Sequence, residues 1–349
     1  MRAVVFDGPG SVSVRDLPDP EPRPGEVRVR PVLTGICGTD RHLLGGGFMA
    51  TFPLVPGHEI VGEVESLGEG AERVPVRGTE GLSVGTLVAV DNTDVCGACE
   101  SCRRGRPLYC SRFRSLGCNA PGGFAELMTA PAAKCFPLDG LDPAVAVMTE
   151  PLACAIHGAD VLALRPGSDV LLFGAGPTGL LLAQLLLHGG AARITVAAPT
   201  AHKLEVARSL GVDETVLLDR ADPAGSTARL RRLAPSGFDV VVEATGAPSV
   251  LALCTGLTRT GGTVLVYGMA DAEATVPFSP YDIFARELTV KGSFAQIHCF
   301  DRALLELRTG RVRTDGIITD RFDLAGFGAA LDAVASSSTI KAVVEPQRG

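Results

Sequence analysis

Four cysteines stand at Cys96, Cys99, Cys102 and Cys110, in the spacing C-x2-C-x2-C-x7-C. Four thiolates in one short loop match a closed tetrahedral Zn2+ site, with no coordination position left for substrate. Chance clustering of core cysteines is the bland alternative, but core cysteines do not recur at intervals of three inside a Gly/Arg-rich loop. A redox C-x-x-C pair or an iron–sulfur loop is the other reading. A second set is spread along the chain: Cys37-Gly-Thr39-Asp40-Arg-His42, then Gly57-His58-Glu59, then Thr149-Glu150-Pro151. One Cys, one His and a carboxylate form a mixed S/N/O donor set, the kind that keeps one position open at a catalytic zinc. Each member also has a structural reading. His58 could be a satisfied core histidine, Cys37 a buried thiol, and Glu150 an acid opening a helix ahead of Pro151.

A third pattern, Val170-Leu-Leu-Phe-Gly174-Ala-Gly176-Pro177-Thr178-Gly179, is a G-x-G-x-x-G between an apolar strand and a helical run. Glycine at 174 permits the tight turn, at 176 the approach of a pyrophosphate, and at 179 close packing of helix on strand. The helix N-terminus offers free N–H groups to the anion, so the pattern points to a dinucleotide. The end of the next strand selects between cofactors, because an acid there would bind the ribose 2′-hydroxyl of NAD. That position falls at Ala198, in Val196-Ala-Ala-Pro-Thr-Ala-His-Lys203, and no acid is present. Thr200, His202 and Lys203 could face a 2′-phosphate, which favours NADP. NAD bound without its carboxylate partner is the alternative.

These residues need elements to position them. Up to about residue 150 the chain is rich in Val, Pro and Gly and runs in short alternating stretches, at 26–32, 60–64 and 87–90. Turn residues punctuate them, which reads as an all-β, barrel-like region. A polar insertion at 73–80 reads as a surface loop without chemistry. From about 151, apolar strands at 170–173, 194–198, 216–218, 240–243 and 263–266 alternate with helices at 178–187 and 201–210, the latter capped by Gly211. That alternation implies βαβ units and a parallel, doubly wound sheet. The last sixty or so residues return to mixed texture and are expected to rejoin the first domain.

The chain has 349 residues, 46% of them hydrophobic and 20% charged, which suits a globular protein of two domains and excludes wholesale disorder. With 32 Lys and Arg against 39 Asp and Glu, the net charge is −7, which argues against a nucleic-acid partner. The best candidate for a membrane span, 171–187, is broken by Gly174, Gly176, Pro177 and Gly179, so no membrane role is expected. The N-terminus reaches Asp7 after four apolar residues and carries no signal-peptide core. A cytoplasmic setting follows, in which the ten cysteines are thiols or metal ligands.

Taken together, C-G-T-D-x-H at 37–42, G-H-E at 57–59, the four-cysteine lobe, G-G-F-A-E at 122–126, T-E-P-L-A at 149–153, the glycine fingerprint and E-A-T-G at 243–246 resemble the zinc-containing medium-chain dehydrogenase/reductase family. The likeness is strongest to its polyol (sorbitol-type) and threonine dehydrogenase branches, and it runs over the whole chain. It implies an α/β fold: a Rossmann doubly wound parallel sheet domain at 154–290, plus a GroES-like β-barrel catalytic domain at 1–153 and 291–349. The structural zinc lobe would span about 92–112. It implies two Zn2+ per chain, with Cys37, His58 and Glu59 on the catalytic ion and Glu150 as a further, alternating ligand. Asp40 would orient His58, as outer partners of metal-bound imidazoles do.

The resemblance further implies that zinc acidifies a substrate hydroxyl and that Thr39 hydrogen-bonds that oxygen. The proton would pass through the cofactor ribose to His42, and hydride would go to the nicotinamide of NADP or NAD. Thr245, Gly268 and Met269 match family positions near that ring. One departure bears on the substrate. Sorbitol-type enzymes carry an Arg-Tyr pair after K-G-x-F, whereas Lys291-Gly-Ser-Phe294 is followed here by Ala295-Gln296, with His298 nearby.

The expected substrate is a small polar secondary alcohol, a polyol first, an amino alcohol or aminocyclitol second. With no Trp and only three Tyr, aromatic side chains for a bulky apolar slot are scarce. Gln296, His298 and Arg286 are the candidate contacts. A zinc-free quinone or enoyl reductase would share the fold but not need the cysteines. A non-catalytic zinc-ribbon module would leave the fingerprint idle. By analogy with the family a homodimer or homotetramer is expected.

Overall fold

The computed structural model describes residues 1–76 and 81–348, so part of the polar insertion, 77–80, lies outside the described residues. The chain divides into two compact units, one of residues 1–153, 296–309 and 318–349, the other of 154–295 and 310–317.

The second unit is built on six parallel strands in the spatial order Glu214–Leu217, Arg193–Ala198, Asp169–Phe173, Phe238–Glu243, Thr258–Val266 and Thr289–Gly292. In sequence order this is 3-2-1-4-5-6, the dinucleotide-binding arrangement expected. Its central strands are continuous apolar runs because both faces are covered: Leu171, Phe173, Ala197, Val216, Phe238, Val241 and Val264 share one buried cluster. Each such Val, Leu or Phe contributes about 1.5–3 kcal/mol by leaving water. The helix Pro177–His188 follows the glycine turn, with Pro177 at its first position and Gly189 at its C-cap. Gln184 of this helix is buried, and its side chain takes Arg313 N at 2.8 Å and gives to Arg313 O at 3.0 Å. That clasp ties segment 310–317 to the unit.

The first unit holds a seven-stranded sheet. Its order is Ile318–Phe322, Lys341–Val344, Glu26–Gly35, Glu59–Leu67, Leu87–Val90 and Cys135–Pro137, with Met128–Pro131 also paired to Glu26–Gly35. Alternation along Glu26–Gly35 buries Val27 and Val29 with Ile60, Val64, Val88, Val90 and Met128. A second cluster joins Ile36, Leu43, Phe6, Phe124 and Phe327, with the last two rings 4.8 Å apart. Register sets up the site. Gly35 pairs with Glu59 on one side and with Val343 on the other. The residues just past Gly35, the start of the Glu59 strand and the start of the Lys341 strand therefore meet at one end of the sheet.

The sequence offers 171–187 as the best candidate and no stretch long enough to span, whereas among the described residues Pro143–Leu162 has the length and apolarity of a span. It is interrupted between the helices Pro143–Ala146 and Thr149–Leu162, and most of it is buried inside the fold. Its apolarity is that of core helices.

Candidate metal centre and cofactor site

Cys37 leaves its strand in extended backbone and caps the helix Gly38–Leu44. Three residues on, Asp40 is fully buried and its Oδ2 accepts the Cys37 N–H at 2.8 Å. Asp40 Oδ1 lies 3.4 Å from His58 Nδ1, and neither atom has a hydrogen-bond partner among the described residues. With Nδ1 turned to Asp40, His58 keeps Nε2 for a metal. One ligand atom each from Cys37, His58 and Glu59 lies within 4.8 Å of the others. Burial pulls the His58 imidazole toward neutrality, but Cys118 and Asp40 beside it hold its pKa well above the ordinary value. Such a cluster of sulfur, imidazole and carboxylate, with Cys37 half-buried and His58 and Glu59 buried, fits a zinc ion.

Glu59 has a second partner. Its carboxylate forms a fully buried ion pair with Lys341, which is 2% exposed. Gly35 makes room for this pair, since a Cβ there would overlap the Glu59 carboxylate and approach Lys341 Cε within 2.9 Å. Burial alone would lower the Lys341 pKa, but Glu59, Cys37 and Glu150 raise it above the usual ammonium value. Glu150 is buried in the first turn of Thr149–Leu162. Thr39 Oγ1 is 3.5 Å from Cys37 Sγ, and His42 follows three residues later on the same helix.

The four-cysteine lobe is closed at its base by Thr93–Asp94 pairing with Arg114–Ser115. Inside it are one short helix, Glu100–Arg103, and one turn, Pro107–Tyr109, neither with a buried residue. All four sulfurs lie within 4.8 Å of one another. Backbone N–H groups point at them: Cys99 N to Cys96 Sγ at 3.3 Å, Arg112 N to Cys110 Sγ at 3.3 Å, and Cys96 N to Cys110 Sγ at 3.4 Å. The amides of Cys102 and Ser111 bring the Cys99 thiol down to about 5, while burial pushes Cys102 up to about 12. A lobe with so little core of its own fits a cross-linking metal.

In the second unit, Gly174 turns with φ +113, and a Cβ there would stand 2.9 Å from Ala244 O. A Cβ on Gly179 would run into Gly174 O, whereas one on Gly176 would meet nothing within 4 Å, so room for a phosphate group lies beside it. Pro177 and Thr178 begin the helix whose N–H groups face that room. Ala198 ends its strand buried, and Thr200 starts the helix Ala201–Ser209 without a side-chain capping bond. Lys203 is half-buried, which lowers its pKa. His202 Nε2 is buried and has no hydrogen-bond partner among the described residues, so in this conformation it is turned away from solvent. Buried Glu243 accepts the Thr245 N–H at 2.7 Å, the Thr245 hydroxyl and the Gly246 N–H at 3.0 Å. Gly246 and Gly268 pack backbone to backbone, bringing Thr245 and Gly268–Met269 together.

Comparison with known proteins agrees with this geometry. Residues 23–140 match the alcohol dehydrogenase GroES-like domain and residues 177–308 the zinc-binding dehydrogenase domain. The chain belongs to the zinc-containing medium-chain dehydrogenase/reductase family. It is 43% identical to D-arabinitol dehydrogenase 1 of Uromyces fabae, over 99% of this chain and 97% of that one. It is 34% identical to an L-threonine 3-dehydrogenase of Saccharopolyspora erythraea, over 85% and 84% respectively. A zinc-binding dehydrogenase of Sinorhizobium meliloti 1021, solved with NADP, superposes with a TM-score of 0.89 at 34% identity, covering 99% of each chain.

Within this medium-chain dehydrogenase the three residues singled out as substrate contacts fare differently. The Arg286 guanidinium donates to Thr255 O at 3.1 Å and to Thr258 O, so it braces the end of the helix Pro280–Ala285 against the sheet. His298 sits in left-handed backbone with φ +55. Gln296 is buried and belongs to the same unit as the metal cluster. Lys341 carries no signal in the sequence, because nothing near I-K-A-V-V marks a lysine inside the core. The one cue is that a charge interrupts an otherwise apolar strand.

Proposed function

We propose that this dehydrogenase oxidises a secondary hydroxyl of a small polyol, using NADP or NAD and two zinc ions per chain. The observation that carries this reading is the Cys37, His58 and Glu59 cluster, beside which Thr39 and His42 share one face of a helix. Zinc bound there supplies Lewis-acid chemistry to an alcohol oxygen, and a nicotinamide supplies the hydride acceptor. The chain's own residues do the rest. Asp40 holds His58 in orientation, Lys341 holds Glu59, the Thr39 hydroxyl hydrogen-bonds the substrate oxygen, and the His42 imidazole exchanges the released proton with water. The four-sulfur lobe holds the second zinc in a purely structural role. The polyol is favoured by the 43% identity to a D-arabinitol dehydrogenase, an amino alcohol such as threonine by the lesser identity to a threonine dehydrogenase. We also propose a homodimer or homotetramer in a reducing cytoplasm, in keeping with the ten cysteines, none of which forms a disulfide among the described residues.

The test is kcat/KM over pentitols, hexitols, cyclitols and threonine, against 2-butanol and cyclohexanol of similar size. A polyol is expected to lead. A simple secondary alcohol outperforming all of them would end the polyol reading, and threonine leading would replace it.

Cofactor choice has its own test. With Ala198 in place of an acid, NADP is expected to serve at least as well as NAD. Ala198→Asp sets a carboxylate against the 2′-phosphate and should shift the NADP/NAD ratio of kcat/KM toward NAD by about tenfold or more. A wild type already strongly selective for NAD would show that the missing acid does not decide the matter.

A further inference from the structure

The two candidate metal clusters lie in one compact unit and share a single stretch of chain. Cys110 supplies the last sulfur of the lobe, and Cys118 is a neighbour of the His58 imidazole. Between them the backbone is tied at every step. Phe113 N donates to Cys110 O at 3.1 Å, and Phe113 O accepts from Asn119 Nδ2 at 3.2 Å. Asn119 Oδ1 accepts the Ser115 N–H at 2.7 Å. Ser115 O in turn takes the N–H groups of Cys118, Asn119 and Ala120 at 3.0, 3.0 and 3.2 Å. One side chain, that of Asn119, therefore joins the foot of the lobe to a turn centred on Ser115.

That turn bears directly on the residues that carry His58. Gly117, at φ +81, packs so closely on Gly57 and His58 that a Cβ would stand 2.7 Å from His58 N. Further on, Gly123 N donates to Gly57 O at 2.8 Å and Phe124 N to Pro56 O at 3.0 Å, so 117–124 cradles 56–58. The other side of Ser115 faces the lobe. Ser115 pairs with Thr93, and its Oγ accepts from Asn92 Nδ2 at 3.1 Å, in a ladder of two residues on each strand. So short a ladder has little stability of its own, and the helix and turn it closes off contain no buried residue. Without a cross-linking metal such a lobe frays. Fraying that reaches Ser115 removes the anchor of the turn that seats His58.

We infer that the turn 115–120 couples the two metal sites, with Asn119 as its positioning residue, so that a filled four-cysteine lobe tightens metal binding at Cys37, His58 and Glu59. The inference rests on the two-zinc reading above and goes beyond it: the lobe metal touches no substrate, yet it sets the affinity of the centre that does. Coupling of this kind needs an element with two arrangements that both sites bias, and here it is the turn, braced or frayed. Linkage makes the effect reciprocal. An ion at the catalytic centre tightens the lobe by the same factor.

The experiment measures zinc occupancy of the full-length protein in a series of buffered free-zinc concentrations set by a chelator. Cys37→Ser, which keeps only the lobe ion, identifies the lobe's share of the signal. Emptying the lobe with Cys99→Ser should weaken zinc at the catalytic centre by about 10- to 100-fold. Asn119→Ala, with every ligand in place, should weaken it by a similar factor. The double variant should lose no more than Cys99→Ser alone, because an empty lobe leaves Asn119 nothing to transmit. Asn119→Asp keeps the acceptor for the Ser115 N–H and should recover most of the affinity. Reciprocity requires the lobe of Cys37→Ser to bind zinc more weakly than the lobe of the wild type. If Asn119→Ala lowers the melting temperature but leaves the catalytic-site affinity unchanged, its part is merely structural and the inference is overturned. Additive losses in the double variant overturn it too. Should Cys99→Ser fail to fold, Asn119→Ala and Asn119→Asp decide the matter by themselves. A wild type that takes up fewer than two zinc ions at saturation ends the two-zinc reading itself, a separate result seen before any variant is made.

Discussion

Cys37→Ser is expected to lower kcat/KM by about a thousandfold or more while the melting temperature hardly moves. The lost ligand forfeits several kcal/mol of stabilisation at the alcohol oxygen, and each 1.36 kcal/mol is tenfold in rate. The fold at Cys37 survives because Asp40 still accepts the backbone N–H at position 37, and Ile36 N still donates to Ala342 O at 3.0 Å. Cys99→Ser should behave in the opposite way. Its lobe has no buried residue in Glu100–Arg103 or Pro107–Tyr109, so the sulfurs and their metal supply the cohesion. A loss of about 3 kcal/mol there would lower the melting temperature by roughly 5–10 °C. Metal content, melting and kinetics measured on the same preparations decide the point. Wild type should carry two zinc ions per chain and each variant one. If the two variants lose activity and stability in the same proportion, the division into a catalytic and a structural metal is wrong.

What could be read from the sequence shares a physical character: it was local. The four-cysteine lobe shows in its spacing because ligands in one loop must follow the loop's geometry. The glycine fingerprint shows because Gly174 needs φ +113 and Gly179 has a carbonyl where a side chain would be. The parallel sheet shows because strands covered on both faces are apolar without interruption. The remainder depends on register between distant strands, which periodicity does not report. Lys341 meets Glu59 only because Gly35 is paired with Glu59 and with Val343 at once. Gln184 clasps Arg313, and Gln296 reaches Asp91, across comparable separations in sequence. Arg286 illustrates the converse, a charged residue plausible for a ligand whose donors are taken up by the carbonyls of Thr255 and Thr258.

Lys341→Met is expected to destabilise the metal-free protein much more than the zinc-loaded one. Lys341 is the buried cation among three acidic groups, Glu59, Cys37 and Glu150. Removing one partner of a buried ion pair leaves the other charge unpaired, at a cost of about 3–5 kcal/mol. For a unit of this size that is roughly 10 °C in melting temperature. A zinc ion held by Cys37, His58 and Glu59 brings its own positive charge to the orphaned carboxylate, so loading the site should recover much of the loss. Lys341→Arg keeps the charge but not the shape, and Gly35 leaves little spare room, so an intermediate effect is expected. The sign of the pH dependence follows from the raised Lys341 pKa. Its contribution is complete below the pKa of an unfolded lysine and is lost only as pH rises through the folded value, so the wild type should weaken in alkali and not near neutrality. Melting wild type and variant with zinc and with chelator separates the terms. If Lys341→Met costs the same in both, then Lys341 and the metal do not share Glu59, and that carboxylate belongs to the lysine alone.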